Sequence, residues 1–158
     1  MGRVLQTIEP LSRPILQRYW RWTRGLTLGV RGLVIDAERK VFLITHTYAK
    51  GWHLPGGGVE PGETLSEALS RELVEEGNIE ILAPPVLHGM FFNDRVSRRD
   101  HVALYVVENF RQAKPPQPDW EISAHGFFAV DALPEGTTRG TMARIVEVMS
   151  GAPRSEYW

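Results

Sequence analysis

The amino-acid sequence predicts a single α/β domain, and three observations lead to this prediction. The chain has 158 residues, of which 42% are hydrophobic, so it can bury one substantial core. Short runs rich in β-branched and aromatic residues accompany two longer runs in which apolar residues recur at helical spacing. No internal repeat or low-complexity stretch interrupts this pattern.

Five strands and a C-terminal helix are predicted outside the central helix. The strands cover Thr27–Asp36, Val41–Thr45, Val86–Phe92, His101–Phe110 and Glu121–Val130. The polar turn Ala37–Lys40 joins the first two, and the loops are residues 93–100 and the proline-rich residues 111–119. The last helix is predicted over Thr138–Met149, with Met142, Ile145 and Met149 on one side.

The central helix has a start signal and a stop signal. The turn dipeptide Pro61-Gly62 precedes Thr64, and Glu67 follows at the spacing of a capping box, in which both side chains bind free backbone N–H groups. Apolar residues then recur at Leu65, Ala68, Leu69 and Leu73. Gly77-Asn78 ends the helix, since both residue types tolerate a left-handed backbone.

Three carboxylates on this helix indicate metal chemistry. Glu72, Glu75 and Glu76 stand at i, i+3 and i+4, downstream of the loop Gly56–Gly58, and they continue the apolar face of the helix. Like charges gathered there repel one another and raise one another's pKa, whereas a hard divalent cation needs such clustered oxygens. The alternative is an ordinary glutamate-rich helix, in which an i, i+4 pair of Arg71 with Glu75 partly offsets the repulsion between the glutamates.

These residues resemble the signature of the Nudix (MutT-like) hydrolases, G-x5-E-x7-R-E-U-x-E-E-x-G-U, where U is bulky and aliphatic. The matching positions are Gly57, Glu63, Arg71, Glu72, Leu73, Glu75, Glu76 and Ile79. The second glycine of the pattern is replaced by Asn78, which is the next best residue at a positive φ. The segment Trp52–Gly57 is similar to the family's lead-in, and Gly126–Phe128 with Leu133-Pro134 resembles its late segment.

The resemblance implies a fold, an activity and a cofactor. The fold is an α/β/α sandwich with a curved mixed β-sheet, which residues 26–158 would form. The activity is hydrolysis of the diphosphate linkage in a small-molecule nucleoside diphosphate derivative: a nucleotide sugar, an ADP-ribose-like compound or a nucleoside triphosphate. The cofactor is Mg²⁺, because it binds through a few carboxylates plus substrate phosphates, with Mn²⁺ as a substitute.

The resemblance also suggests roles for single residues. Glu72 and Glu76 would be the main metal ligands, and Glu75 would be a shared ligand or would orient metal-bound water. The Gly56 carbonyl would complete the coordination. Arg71 would hold a glutamate in place by a charge-assisted contact. Gly57 and Glu63 would have structural roles in the motif, with Glu63 bracing the loop; simple surface pairing of Arg71 and Glu63 is the alternative.

Other roles stay open in the sequence. Glu121 is the first candidate for an extra carboxylate and general base, and Glu108 the second. The arginines Arg95, Arg98 and Arg99 either grip phosphates or are solvated. The histidines (His46, His53, His88, His101 and His125) show no metal-ligand spacing. Trp52 either stacks a base or packs in the core, and His53 either faces the substrate or alternates across a strand.

Composition limits the partners. The formal net charge is −1, which does not favour DNA or a membrane surface. The absence of cysteine excludes disulfides, thiolate metal sites and a cysteine nucleophile, and it argues against the isomerases that the resemblance associates with a catalytic cysteine. No signal peptide or membrane span is evident, so a cytoplasmic location is expected. An RNA 5'-end pyrophosphohydrolase and a non-catalytic nucleotide-sensing module remain alternative functions.

Residues 1–25 form a separate N-terminal extension in this prediction. A helix over Pro14–Thr23 would carry apolar and aromatic side chains on one face, surrounded by arginines. Such a helix can pack on its own domain or across a homodimer interface, and it can also lie on a membrane surface or meet another partner.

Overall fold

The structure is a computed structural model that describes residues 18–19, 22–118 and 120–158. Strands β1 (Thr27–Val34) and β2 (Val41–His46) are followed by helix α1 (Leu65–Gly77). The next elements are β3 (Ile79–Ile81), β4 (Val86–Phe92), β5 (Asp100–Val107), β6 (Phe110–Gln112) and β7 (Ile122–Phe128). A short 3-10 helix at Val130–Ala132 precedes helix α2 (Arg139–Ser150).

The strands pair in both directions. Strand β5 lies between β1, with which it is parallel, and β4, with which it is antiparallel. Strand β2 pairs antiparallel with β7, and β3 pairs antiparallel with β6. An antiparallel bridge between Gly29 and Gly58 joins the loop before α1 to β1.

The two helices cover opposite faces of the strands. On β1, Val34 belongs to a buried cluster that includes Leu73 of α1, whereas its neighbour Leu33 belongs to a second cluster that includes Ile145 of α2. Because side chains alternate along a strand, β1 is buried from both sides. This arrangement confirms the predicted α/β/α sandwich with mixed strand pairing.

The predicted elements are largely confirmed, with three corrections. The strand predicted over His101–Phe110 is interrupted after Val107, and Phe110–Gln112 forms a separate strand that pairs with Ile79–Ile81, which was not predicted. The strands predicted over Thr27–Asp36 and Glu121–Val130 stop at Val34 and Phe128. In α2, Ile145 is buried but Met142 is 46% exposed, so Met142 does not lie on the buried side of the helix with Ile145 as predicted.

Helix α1 has the predicted ends. Thr64 Oγ1 accepts a hydrogen bond from Glu67 N at 3.2 Å, and Glu67 Oε2 accepts one from Thr64 N at 2.8 Å. At the other end Asn78 is left-handed, with φ 50°, and its N–H donates to the carbonyls of Leu73 and Val74. The asparagine that departs from the family pattern therefore adopts the conformation that a glycine would take there.

We expect Asn78→Gly to leave the free energy of unfolding nearly unchanged, because glycine adopts the left-handed conformation without strain. Asn78→Ala should lower the free energy of unfolding by roughly 1 kcal/mol, because the Cβ of alanine disfavours this conformation and alanine lacks the polar side chain with which asparagine offsets that cost. Urea titrations of both variants measure the difference. Equal stabilities of the two variants would contradict this account of the helix end.

The predicted N-terminal helix lies largely outside the described residues. Arg18, Tyr19, Trp22 and Thr23 are helical, and the boundary between the extension and the domain stays a prediction. Within the part of the chain that is described, no helix is both long and apolar enough to cross a membrane.

Candidate active site and metal centre

The glycine loop before α1 lies directly against β1. Val30 N–H donates to Gly57 O, and Gly32 N–H donates to Pro55 O, both at 2.9 Å. Gly56 has φ 137°, and a Cβ at this residue would collide with the backbone carbonyl of Val30. Only glycine permits such a close approach of two backbones, so the loop is held on the strand and faces the glutamates of α1.

Arg71 ties this loop to the helix. Its guanidinium donates to both oxygens of Glu63, from Nε at 2.8 Å and from Nη2 at 3.0 Å, and to the Gly58 carbonyl at 3.1 Å. It also donates to Glu72 Oε1 at 2.7 Å. These charge-assisted bonds lower the pKa of Glu63 to about 2, mainly through Arg71. The same hydrogen bonds raise the pKa of Arg71.

Glu76 is buried in the centre of the site. Its side chain is 5% exposed, and its Oε2 accepts a hydrogen bond from the Gly56 N–H at 2.6 Å. Loss of hydration raises the pKa of this carboxyl to about 8, although the Gly56 hydrogen bond and Arg31 oppose the shift. A carboxylate buried in this way needs a positive partner to stay ionised at neutral pH.

The other two glutamates differ in burial. Glu72 is 12% exposed, and burial raises its pKa while the hydrogen bond from Arg71 opposes the shift. Glu75 is 59% exposed, and its Oε2 lies 3.4 Å from Arg71 Nη1, which is the i, i+4 pair predicted from the sequence. Glu75 therefore stands at the rim of the site, whereas Glu72 and Glu76 lie inside.

Glu121 and His46 complete the group. Potential ligand atoms of His46, Glu76 and Glu121 all lie within 4.8 Å of one another. Sequence spacing did not assign a histidine to the metal centre, because His46 and Glu76 are 30 positions apart and meet only through the packing of β2 on α1. Burial lowers the pKa of His46 to about 4, so its ring is neutral at pH 7.

The donor set fits a divalent cation. The buried Glu76, Glu121 and the neutral imidazole of His46 lie together, and Glu72, whose side chain is 12% exposed, lies beside them against Gly57. Protein ligands of Mg²⁺ and Mn²⁺ are mainly oxygens, and Mn²⁺ also accepts imidazole nitrogen. A bound cation would supply the positive charge that Glu76 lacks.

Gly57 leaves no room for a side chain beside the Glu72 carboxylate. A Cβ at Gly57 would overlap the Glu72 carboxylate, so Gly57→Ala should displace that carboxylate while the backbone stays in place, because Gly57 does not need a positive φ. We expect activity to fall roughly 10-fold or more with only a small change in melting temperature. Gly58→Ala is the matched control, because a Cβ there meets nothing within 4 Å. Equal activities of the two variants would contradict the assigned position of Glu72.

A cavity of about 480 Å³ opens beside the glycine loop. Gly57 and Gly58 form part of its wall, together with Arg31, His53, Arg95 and the start of α2. Of the three arginines considered for phosphate binding, Arg95 lines the cavity, whereas Arg98 and Arg99 are not among its lining residues. Trp52 packs edge-on against Phe128 with ring centroids 4.9 Å apart, which favours the core-packing alternative.

Glu108, the second candidate for an extra carboxylate, lies elsewhere. Its Oε1 accepts a hydrogen bond from Arg39 at 2.9 Å at an exposed position, and Arg39 also contacts Met149 of α2. The carboxylate that joins Glu76 is Glu121.

Comparison with known proteins identifies the family of the chain. The family model described as "NUDIX domain" matches residues 25–149. The chain belongs to the NUDIX family. A crystal structure of the MutT NUDIX hydrolase from Burkholderia pseudomallei superposes with a TM-score of 0.67 at 24% identity, over 77% of this chain and 97% of that one. At this identity the likeness establishes the fold.

Curated relatives of this NUDIX protein match over shorter stretches. The rat diphosphoinositol polyphosphate phosphohydrolase 2 is 32% identical over 91 residues, which are 57% of this chain and 47% of the relative. The RNA pyrophosphohydrolase of Erythrobacter litoralis is 41% identical over 61 residues, which are 38% of this chain and 35% of the relative. The matches thus span between about a third and a half of these relatives.

Proposed function

We propose that this NUDIX protein is a metal-dependent pyrophosphohydrolase that cleaves the diphosphate linkage of a nucleoside diphosphate joined to another group. The observation that carries the proposal is the buried Glu76 carboxylate, which accepts the Gly56 N–H, lies close to Glu121 and interacts electrostatically with Glu72. Gly57 borders both this cluster and the neighbouring cavity, so a phosphate in the cavity would reach the carboxylates.

The ion would be held by Glu72, Glu76 and Glu121, with the Gly56 carbonyl as a further ligand and Glu75 at the rim. Mg²⁺ suits this site and Mn²⁺ can substitute for it. When bound, the ion neutralises phosphate oxygens and lowers the pKa of coordinated water. The chain's own contribution is positional, because Arg71 holds Glu72 and the loop holds Glu76.

The reaction requires a group that takes a proton. A water oxygen attacks one phosphorus, the bond from that phosphorus to the bridging oxygen breaks, and the bridging oxygen leaves with its electron pair on the second phosphate. The proton of the attacking water passes to a carboxylate. We assign this role to the oxygen of Glu121 that would not hold the ion, because Glu121 directly precedes β7, belongs to the cluster and is less buried than Glu76.

The size and charge of the cavity support a small-molecule substrate. A volume of about 480 Å³ falls within the ordinary range for small-ligand pockets. Arg95 and Arg31 line it and offer positive charge to phosphates. Selection of the base and sugar would fall to the residues of β1, the β4–β5 loop and the start of α2 that form its walls.

A substrate panel tests the proposal. We would incubate the protein with Mg²⁺ and nucleotide sugars, an ADP-ribose-like compound, nucleoside triphosphates and RNA bearing a 5' triphosphate, and resolve the products by chromatography. Release of a nucleoside monophosphate from a small molecule supports the proposal. Selective action on RNA ends supports the alternative that the Erythrobacter relative suggests, and binding without hydrolysis indicates a sensing module.

A further inference from the structure

His46 occupies an unusual position at the end of β2. The pairing of β2 with β7 shifts between Thr45 and His46, so that Thr45 lies opposite Ala124 and His46 lies opposite Ile122. Ser123 is thus the extra residue of a bulge, and bulges change the direction in which neighbouring side chains point. Directly after it, Thr47 N–H donates to the Glu121 carbonyl at 2.9 Å. The bulge therefore brings His46 and Glu121 to the same place.

The imidazole of His46 is buried without a hydrogen bond to compensate it. Its side chain is 5% exposed, its Nδ1 has no hydrogen-bond partner in the described part of the chain, and its Nε2 lies 3.7 Å from Glu76 Oε1. This separation is too long for a hydrogen bond. Stacking on Tyr48, at 4.8 Å between ring centroids, explains the orientation of the ring but leaves Nδ1 without a hydrogen-bond partner. Unpaired buried polar atoms are rare and often mark an ion or water.

The spacing of the surrounding donors is close to that of a coordination sphere. Donors that share an ion at about 2.0 to 2.3 Å lie at most roughly 4.6 Å from one another. The ligand atoms of His46, Glu76 and Glu121 lie within 4.8 Å of one another. A small movement of these side chains would therefore close them on one ion.

We propose that His46 is a nitrogen ligand of the metal centre and gives the site a preference for transition-metal ions over Mg²⁺. Imidazole suits Zn²⁺ and other late transition-metal ions such as Co²⁺, and Mn²⁺ accepts it, whereas Mg²⁺ selects oxygen ligands and keeps its water. This inference rests on the proposed function, in which Glu76 and Glu121 hold the ion, but it concerns a residue outside the signature.

Spectroscopy of the metal-loaded protein tests the ligand directly. Pulsed electron paramagnetic resonance on the Mn²⁺-loaded full chain, without substrate, should show coupling to a ¹⁴N nucleus. The coupling should disappear in His46→Gln and persist in His88→Gln. His88 is the matched control, because it is also a mostly buried histidine, with Nε2 3.5 Å from a carboxylate oxygen of Glu147, but that carboxylate belongs to α2.

Calorimetry tests the selectivity. We expect His46→Gln to weaken Co²⁺ binding roughly 10-fold or more, with less than about a threefold change for Mg²⁺. An unchanged Co²⁺ to Mg²⁺ affinity ratio, or no ¹⁴N coupling in the unaltered protein, overturns the inference. If His46→Gln does not fold, His46→Asn replaces it in both measurements, and absence of ¹⁴N coupling in the unaltered protein overturns the inference by itself.

The two proposals fail in distinguishable ways. If the protein hydrolyses its substrate with Mn²⁺ but shows no nitrogen coupling, the role of His46 is wrong and the proposed function stands. If it binds no divalent ion and hydrolyses nothing in the panel, both proposals are wrong.

Discussion

Glu76→Gln is expected to lose more than about 100-fold in turnover and, at the same time, to be more stable than the unaltered protein when metal is absent. The loss in rate should exceed the 10- to 100-fold effect typical of residues that only support a ligand, because Glu76 is assigned as a ligand itself. Steady-state rates at saturating Mg²⁺, with the best substrate of the panel, measure it.

The gain in stability follows from the pKa of Glu76. The folded protein raises this pKa from 4.5 to about 8, so above pH 4.5 the unfolded chain releases the proton more readily than the folded one does. Stability therefore falls as the pH rises from 4.5 to about 8. At pH 8 the difference is on the order of 4 kcal/mol. A glutamine at position 76 does not ionise and so avoids this loss of stability, and its side-chain oxygen can still accept the hydrogen bond from Gly56.

Thermal melts in a chelator, at pH 5 and pH 8, check this expectation. The melting temperature of Glu76→Gln should exceed that of the unaltered protein by several degrees at pH 8 and by little at pH 5. Added Mg²⁺ should raise the melting temperature of the unaltered protein and leave the variant unchanged. Glu75→Gln is the control for stability, because its side chain is 59% exposed and its loss should not raise the melting temperature.

Arg71→Lys is expected to lower turnover roughly 10- to 100-fold and the free energy of unfolding by roughly 1 to 3 kcal/mol. Arginine joins Glu63, Glu72 and the Gly58 carbonyl through a planar group, at distances from 2.7 to 3.1 Å. A lysine ammonium is a single point charge that cannot hold both carboxylates in this geometry. The Glu72 carboxylate would then be free to leave its place against Gly57.

Arg111→Lys is the matched control for this variant. Arg111 also forms a close ion pair, with Glu80, but its side chain is 64% exposed. Exposed pairs contribute little, so its replacement should change the free energy of unfolding by less than about 0.5 kcal/mol. Urea titrations and steady-state kinetics on both variants give the comparison. Arg71→Lys with normal turnover would refute the positioning role of Arg71.

Local patterns were sufficient for the parts of the fold that depend on neighbouring residues. The capping box of Thr64 and Glu67 and the left-handed Asn78 follow from residues a few positions apart, and the structure confirms them. Most strand bounds follow in the same way, to within one or two residues. The short strands β3 and β6 were missed, because each has three residues and is stabilised by pairing with the other, about 30 positions away.

The same distinction divides the candidate site. The sequence alone determined the glycine loop, the glutamates of α1 and their order, because one turn of helix sets the spacing of Glu72 and Glu76. Only the tertiary structure decided that Glu76 is buried while Glu75 is at the rim. It also decided that Glu121 and His46 lie close to Glu76, whereas Glu108 does not. The reason is physical: burial and the meeting of distant residues depend on how β2, β7 and α1 pack, and no local pattern encodes that packing.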